Sequence, residues 1–294
     1  MDKKDKILGA LFGVACGDAL GATLQFIDKK TGECNFGYLN NIIGGGVMRL
    51  KPGEVTDDTM MTIAVAEGIL QDKSNPIEFI GKQLLKWYDE NPKDIGITDQ
   101  LSIEKFKLYG NWSEASLKTY ESLNGKTNGS GSLKRCLPIA ISYENFNEMI
   151  GVTSRQSYMT HQSRQAEEAC IIYNSLIYKY FHGEEKMEAL KEVLKKYEKY
   201  QKVLTMNKNQ LKPYGDVTNT LISSLYCFIN ENNCENIICE AVNLYGESDT
   251  VGSMAGGLAG VYYGFNALPD RWIDKILIRD KLIIIGEQLN RVVN

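Results

Sequence analysis

Apolar positions along the chain recur at three- and four-residue spacing, the period of a helix face. No stretch alternates apolar and polar residues at the period of a strand. Ile7 to about Leu24 reads as a first, mostly apolar helix. A second follows Thr56 and carries Met60, Met61, Ile63, Ala64, Val65, Ala66, Ile69 and Leu70 to about Gln71. Pro76 opens the next, with Phe79, Ile80, Leu84, Leu85 and the Trp87-Tyr88 pair on its apolar face. Further helical patterns cover 98–108, 112–124, 133–140, 145–152, 163–182, 184–200, 218–230, 234–245 and 252–264. In 184–200, Met187, Leu190, Val193, Leu194 and Tyr197 share one face among lysines and glutamates, the signature of an amphipathic surface helix. Residues 25–55 and 124–132 are rich in Gly, Asn and Ser and read as loops. No repeat period or linker divides the chain, so the pattern predicts one compact all-α domain over residues 1–294.

Two of these helices carry glycine in register. Gly9, Gly13, Gly17 and Gly21 fall every four residues, and so do Gly252, Gly256, Gly260 and Gly264. Each glycine inside a helix costs roughly 1 kcal/mol relative to alanine. A whole stripe therefore implies that another backbone packs against it closely, and it puts both helices near the centre of the fold.

Composition narrows the class of function. With 33 basic and 37 acidic residues the formal charge is −4, so no basic excess points to nucleic acid or an anionic membrane. Seven cysteines form no paired CxxC motif, and two histidines make a zinc site a poor expectation. The start of the chain mimics a signal peptide. Asp2, Asp5 and Asp18 argue against that reading, and the uncharged run is too short to span a bilayer. The expectation is a cytoplasmic protein whose first helix is buried.

Two clusters of oxygen-bearing side chains stand at helix starts. Thr56-Asp57-Asp58 precedes the second helix, and Glu247-Ser248-Asp249-Thr250 precedes the second glycine-striped one. Each alone is most simply an N-cap. Together, Thr56, Asp57, Asp58, Glu247, Asp249 and Thr250 could hold two hard divalent cations such as Mg²⁺ or Mn²⁺. The small polar loop 124–132 runs into a helix start and could offer backbone N–H groups to a phosphate or diol.

These motifs, in this order, resemble the ADP-ribosylglycohydrolase family over nearly the whole chain. Gly13 to Ala22 resembles its opening signature, and Gly44-Gly45-Gly46 with Leu50 to Thr59 its first metal motif. Asp94-Ile95-Gly96 resembles its substrate-side aspartate motif, Ser130-Gly131-Ser132 its ribose loop, and Thr160-His161 a pair on the adenosine side. Glu247 to Gly252 resembles the second metal motif, and Leu268-Pro269 with Trp272 the C-terminal signature. The resemblance implies an all-α orthogonal helical bundle and two Mg²⁺ or Mn²⁺ ions. It also implies hydrolysis of the N- or O-glycosidic bond between ADP-ribose and a protein side chain or related compound. Asp94 and Asp58 are the implied catalytic carboxylates. Gly96, Ser130, Gly131, Ser132, His161 and Gln25 are the implied substrate contacts. The expected partner is an ADP-ribosylated substrate, and the expected state a monomer.

The chain departs from the family pattern at named positions. Gln25 stands where many members have glutamate, and Glu247 where aspartate is usual. Ser130 replaces an asparagine and Lys134 a methionine. A glutamine cannot act as a general base. The competing reading is therefore a weakly catalytic ADP-ribose binder, or an immunity-type protein that counters an ADP-ribosyltransferase by contact. In a third reading the acidic clusters of a structural helical protein are caps only. Asp94 has its own alternative, as the cap of the helix entered near Thr98. Asp18, beside the glycine stripe, is expected to be buried and hydrogen-bonded.

Overall fold

The computed structural model describes residues 1–293. Among them the α-helices are α1 Lys3–Gly21, α2 Lys29–Phe36, α3 Asp57–Gln71, α4 Pro76–Asp89, α5 Ile97–Tyr109, α6 Trp112–Ser122, α7 Gly131–Lys134, α8 Leu137–Ser142 and α9 Phe146–Tyr158. They continue as α10 Arg164–Phe181, α11 Lys186–Leu194, α12 Glu198–Gln201, α13 Val217–Asn230, α14 Cys234–Val242, α15 Ser248–Tyr263, α16 Asp270–Ile273 and α17 Arg279–Val293. The described residues contain no strand beyond a single antiparallel bridge between Gly45 and Leu50. The expected all-α class is what is observed.

The helices start where local chemistry predicts. Asp2, Asp28, Thr56, Asn111, Asn145, Ser163, Asp216 and Asn233 each accept a first-turn N–H with the side chain. Four differences from the sequence pattern stand out. Helix α2 lies in the expected loop, and α17 carries a pattern that the sequence reading passes over. The expected helix at 184–200 is broken after Leu194, where Lys195 is its C-cap. The expected buried helix at 133–140 is two short helices, α7 and α8, with Pro138 in the first turn of α8.

Helices α1 and α15 run antiparallel through the centre, with every residue of α1 from Ile7 to Gly21 buried. Their glycine stripes meet. A Cβ at Gly9, Gly13 or Gly17 would collide with the carbonyl oxygen of Gly260, Gly256 or Gly252 respectively, and one at Gly21 with that of Ser248. This contact sets the start of α15 beside the end of α1. Gly264, expected as a fourth member of the stripe, is instead the C-cap of α15 at φ +87°. One continuous apolar core surrounds the pair, drawing on α3, α8, α10, α13, α14 and α17.

Candidate active site

The site begins with Asp18 on α1. Its carboxylate accepts from the backbone N–H of Thr56 at 3.1 and 3.0 Å, from Thr59 N–H at 3.1 Å, and from the Thr59 hydroxyl. Asp18 therefore caps α3 from another helix, while the Thr56 hydroxyl accepts from Asp58 N–H at 3.3 Å. Burial, then the neighbouring Asp58 charge, pushes Asp18 up to about 7. Because α1 also packs on α15, the starts of α3 and α15 converge. Ser253 on α15 donates to Asp58 Oδ2 at 2.8 Å, and Asp249 feels the charges of Asp58, Asp18 and Asp57. Burial first, and then those charges, raises Asp249 well above the ordinary carboxylate range.

A buried lysine completes this cluster. The Lys134 ammonium lies 2.7 Å from Asp57 Oδ1 and 2.7 Å from Asp58 Oδ1. Lys134 ends α7, and its carbonyl accepts from the Thr62 hydroxyl on α3 at 3.0 Å, which ties its backbone to α3. Burial works against its charge, but Asp57 and Asp58 outweigh burial and raise its pKa well above the ordinary value. Asp58 is pushed up to about 6 by burial, with Lys134 acting against that rise and Asp57 adding to it. Among the described residues, no group of three or more His, Cys, Asp or Glu side chains is arranged to hold a metal ion as it stands. The donor chemistry nevertheless suits a hard cation, since Asp57 Oδ2 and Asp249 Oδ2 are buried and accept no hydrogen bond.

A cavity of about 470 Å³ opens in front of the cluster. It is lined by Gln25, Asp57, Asp94, Gly96, Ser130, Gly131, His161, Glu247 and Thr250, all expected site residues, together with Lys134, Asp99 and the exposed Phe26. Gln25 donates to Asp94 Oδ2 at 3.4 Å. Burial, then the Asp57 charge, raises Asp94 above the ordinary carboxylate range. Asp94 caps nothing: Gly96 is the N-cap of α5, which has no side-chain cap. Glu247 sits at the start of α15 and accepts from the Thr220 hydroxyl at 3.1 Å.

Four expected residues do not line this cavity. Thr56 lines a neighbouring cavity of about 530 Å³ that shares Asp57 and Asp94 with the first. Asp58 and Asp249 lie fully buried behind it. Asp58, expected to be catalytic as well as a metal ligand, is thereby confined to the cluster. Ser132, expected to touch substrate, is turned inward, where its hydroxyl accepts from Ser157 at 2.9 Å and its carbonyl from Gln156. Ser132 lies within α7, so the helix aims its side chain, which the motif does not reveal.

His161 is held by a network that the sequence reading misses. The fully buried Arg135 donates to Asp99 Oδ1 at 2.6 Å, to Gln156 Oε1 at 2.6 Å, and to the Thr160 hydroxyl at 2.8 Å. Thr160 accepts that N–H, so its own proton is free to go to His161 Nδ1, 2.7 Å away. Burial pushes His161 down to about 4 against the pull of Asp99. The ring is then neutral and carries its proton on Nε2, the nitrogen on the side of Gly129 and the ribose-type loop. A Cβ at Gly131 would collide with Asp99 Oδ2, so only glycine lets the loop lie this close. The one sequence signal was for Arg135, a charge in the largely apolar stretch from Leu133 to Ala140, whereas Asp99, between Thr98 and Gln100, gave none.

These elements define a helical hydrolase-type centre with an acidic cluster at the floor of a cleft. The chain belongs to the ADP-ribosylglycohydrolase family, whose model matches residues 1–294. That places it among hydrolases that act on ADP-ribose linkages. It is 27% identical to an ADP-ribosylarginine hydrolase, Tri1, of Serratia proteamaculans over 97% of this chain and 79% of that protein. It is also 27% identical to the ADP-ribosyl-[dinitrogen reductase] glycohydrolase of Rhodospirillum rubrum, over 92% of this chain and 90% of that one. The solved structure of an ADP-ribosylglycohydrolase-related protein complex superimposes with a TM-score of 0.84 at 29% identity, covering 99% of each chain. No helix among the described residues is long and apolar enough to cross a membrane.

Proposed function

We propose that this protein hydrolyses the bond between the anomeric carbon of ADP-ribose and a modified protein side chain or related leaving group. The observation that carries this reading is one cleft lined jointly by Asp94, Gly131, His161 and the Asp57 carboxylate. Cleavage at an anomeric carbon builds oxocarbenium character, which a nearby carboxylate stabilises while orienting and deprotonating water. Asp94 is that carboxylate. The Gln25 amide engages its Oδ2 and leaves Oδ1 to the water. His161 Nε2–H and the backbone of Gly129 to Gly131 hold the distal part of the ligand, and the exposed Phe26 ring offers a face to an aromatic base. The acidic cluster of Thr56, Asp57, Asp58, Glu247, Asp249 and Thr250 would hold divalent cation, Mg²⁺ or Mn²⁺. Such a cation would fix the ribose diol and lower the cost of charge development.

The test is release of ADP-ribose by the full chain, supplied with Mg²⁺ or Mn²⁺, from Arg-, Ser- and nucleoside-linked ADP-ribosyl substrates. Release from at least one of them is expected, with loss on chelation. No release from any of the three refutes the reading. The second reading, a weakly catalytic binder or a contact inhibitor of an ADP-ribosyltransferase, is favoured by Gln25, whose buried Oε1 accepts no hydrogen bond. Gln25→Glu separates the two. A large gain of hydrolysis from a near-zero wild-type rate supports the binder, and a wild type already active supports the enzyme.

A further inference from the structure

Four carboxylates, those of Asp18, Asp57, Asp58 and Asp249, lie at or below 3% exposure around the starts of α3 and α15. Burying several like charges together is costly unless cations sit among them. One cation already does. Lys134 Nζ contacts Asp57 and Asp58 at 2.7 Å each and is itself buried, and no other lysine or arginine is ion-paired with these four among the described residues. A methionine in its place would leave that inter-carboxylate position to an external ion. The ammonium stands at hydrogen-bond distance from one oxygen of each of two cluster carboxylates, and the Lys134 backbone is tied to α3 through the Thr62 hydroxyl. The unpartnered oxygens that remain are Asp57 Oδ2, at the start of α3, and Asp249 Oδ2, at the start of α15, and the two carboxylates are close enough for the Asp57 charge to raise Asp249.

We propose that Lys134 is a resident cation of this centre, so the chain takes up one divalent ion, through Asp57 and Asp249, where its resemblance implies two. A fixed ammonium costs no uptake from solution, so half of the cluster is assembled before any ion arrives. The inference rests on the reading of the acidic cluster as a cation centre under the proposed function.

The experiment is a titration of the purified full chain with Mn²⁺ alone, counted by calorimetry and by electron paramagnetic resonance. The wild type is expected to bind one ion per chain with the spectrum of an isolated Mn²⁺. Two ions per chain, a spin-coupled pair, or no binding overturns the proposal. Lys134→Met is expected to bind two ions, with a coupled spectrum and a larger rise in melting temperature on adding Mn²⁺ than the wild type. A folded Lys134→Met that still binds one ion overturns it as well. If that variant fails to fold, the wild-type count and spectrum decide alone. The count does not depend on turnover. A chain that binds one Mn²⁺ and hydrolyses nothing keeps this inference and refutes the hydrolase reading.

Discussion

Single residues carry the chemistry, and their surroundings set what each can do. Asp94 is raised by burial and by Asp57. As a general base it is active when ionised, so hydrolysis should climb with pH through an acid limb lying above the ordinary carboxylate range. A rate–pH profile checks this, and Asp94→Asn should remove the limb along with about 10²–10⁴-fold of the rate. An acid limb unchanged in Asp94→Asn would assign the base elsewhere. His161 is neutral over the same range, because burial holds it near 4. Its contribution is a hydrogen bond, so His161→Ala should weaken ADP-ribose binding by about tenfold, roughly 1–1.5 kcal/mol, with little change in turnover. Arg135 is fully buried against Asp99. Burial would raise the Asp99 carboxyl, but His161, charged only in the acid range where Asp99 itself titrates, and Arg135 outweigh it and hold it below the ordinary value. Arg135→Met leaves Asp99 charged and uncompensated, and should cost about 3–5 kcal/mol of stability in a denaturant titration.

At the scale of elements, the site depends on how closely α1 approaches α15. The glycine pairs Gly9–Gly260, Gly13–Gly256 and Gly17–Gly252 leave no room for a methyl group. Gly13→Ala gains helix propensity, worth up to about 1 kcal/mol, but forces two backbones apart. The overpacking cost of about 1–3 kcal/mol or more should win. A lowered melting temperature, together with weaker Mn²⁺ binding, is the expected outcome, because spreading these helices separates Asp249 from Asp57. Stability unchanged in Gly13→Ala would show the contact to be looser than the structure has it. Cap chemistry acts at the same scale. Asp18 satisfies two N–H groups of α3, so one side chain links the first helix to the acidic cluster.

For the whole molecule, ligand binding should be coupled to folding, since the cleft is assembled from α3, α5, α7 and α15 together with the segments around Gln25, Asp94 and His161. Saturating ADP-ribose at 100 times its Kd should stabilise the chain by about 2.7 kcal/mol. For a domain near this size that raises the melting temperature by several degrees. Thermal scans with and without ADP-ribose measure it, and no shift at saturation would mean that the cleft does not hold this ligand.

Much of this was legible in the chain itself. Helix starts follow from neighbouring residues, so Thr56 before its apolar run announced α3, and a four-residue glycine period pointed to a close helical contact. The two acidic clusters were likewise visible as local strings of oxygen ligands. What the string of residues left undecided is where side chains from distant elements meet. Nothing in the spacing places the Lys134 ammonium between Asp57 and Asp58, aims Ser132 away from the cleft, or sets Arg135 against Asp99 and Thr160. It leaves Asp94 equally free to cap a helix. Propensities and caps act over a few residues of backbone, and the sequence records them directly. Desolvation and Coulomb interaction act through space, over ångströms between groups far apart in the chain. So most of the helices and the two local acidic strings were determined by the sequence alone, whereas the tertiary structure joined those strings, added Asp18 to them and set the Lys134 ammonium among them.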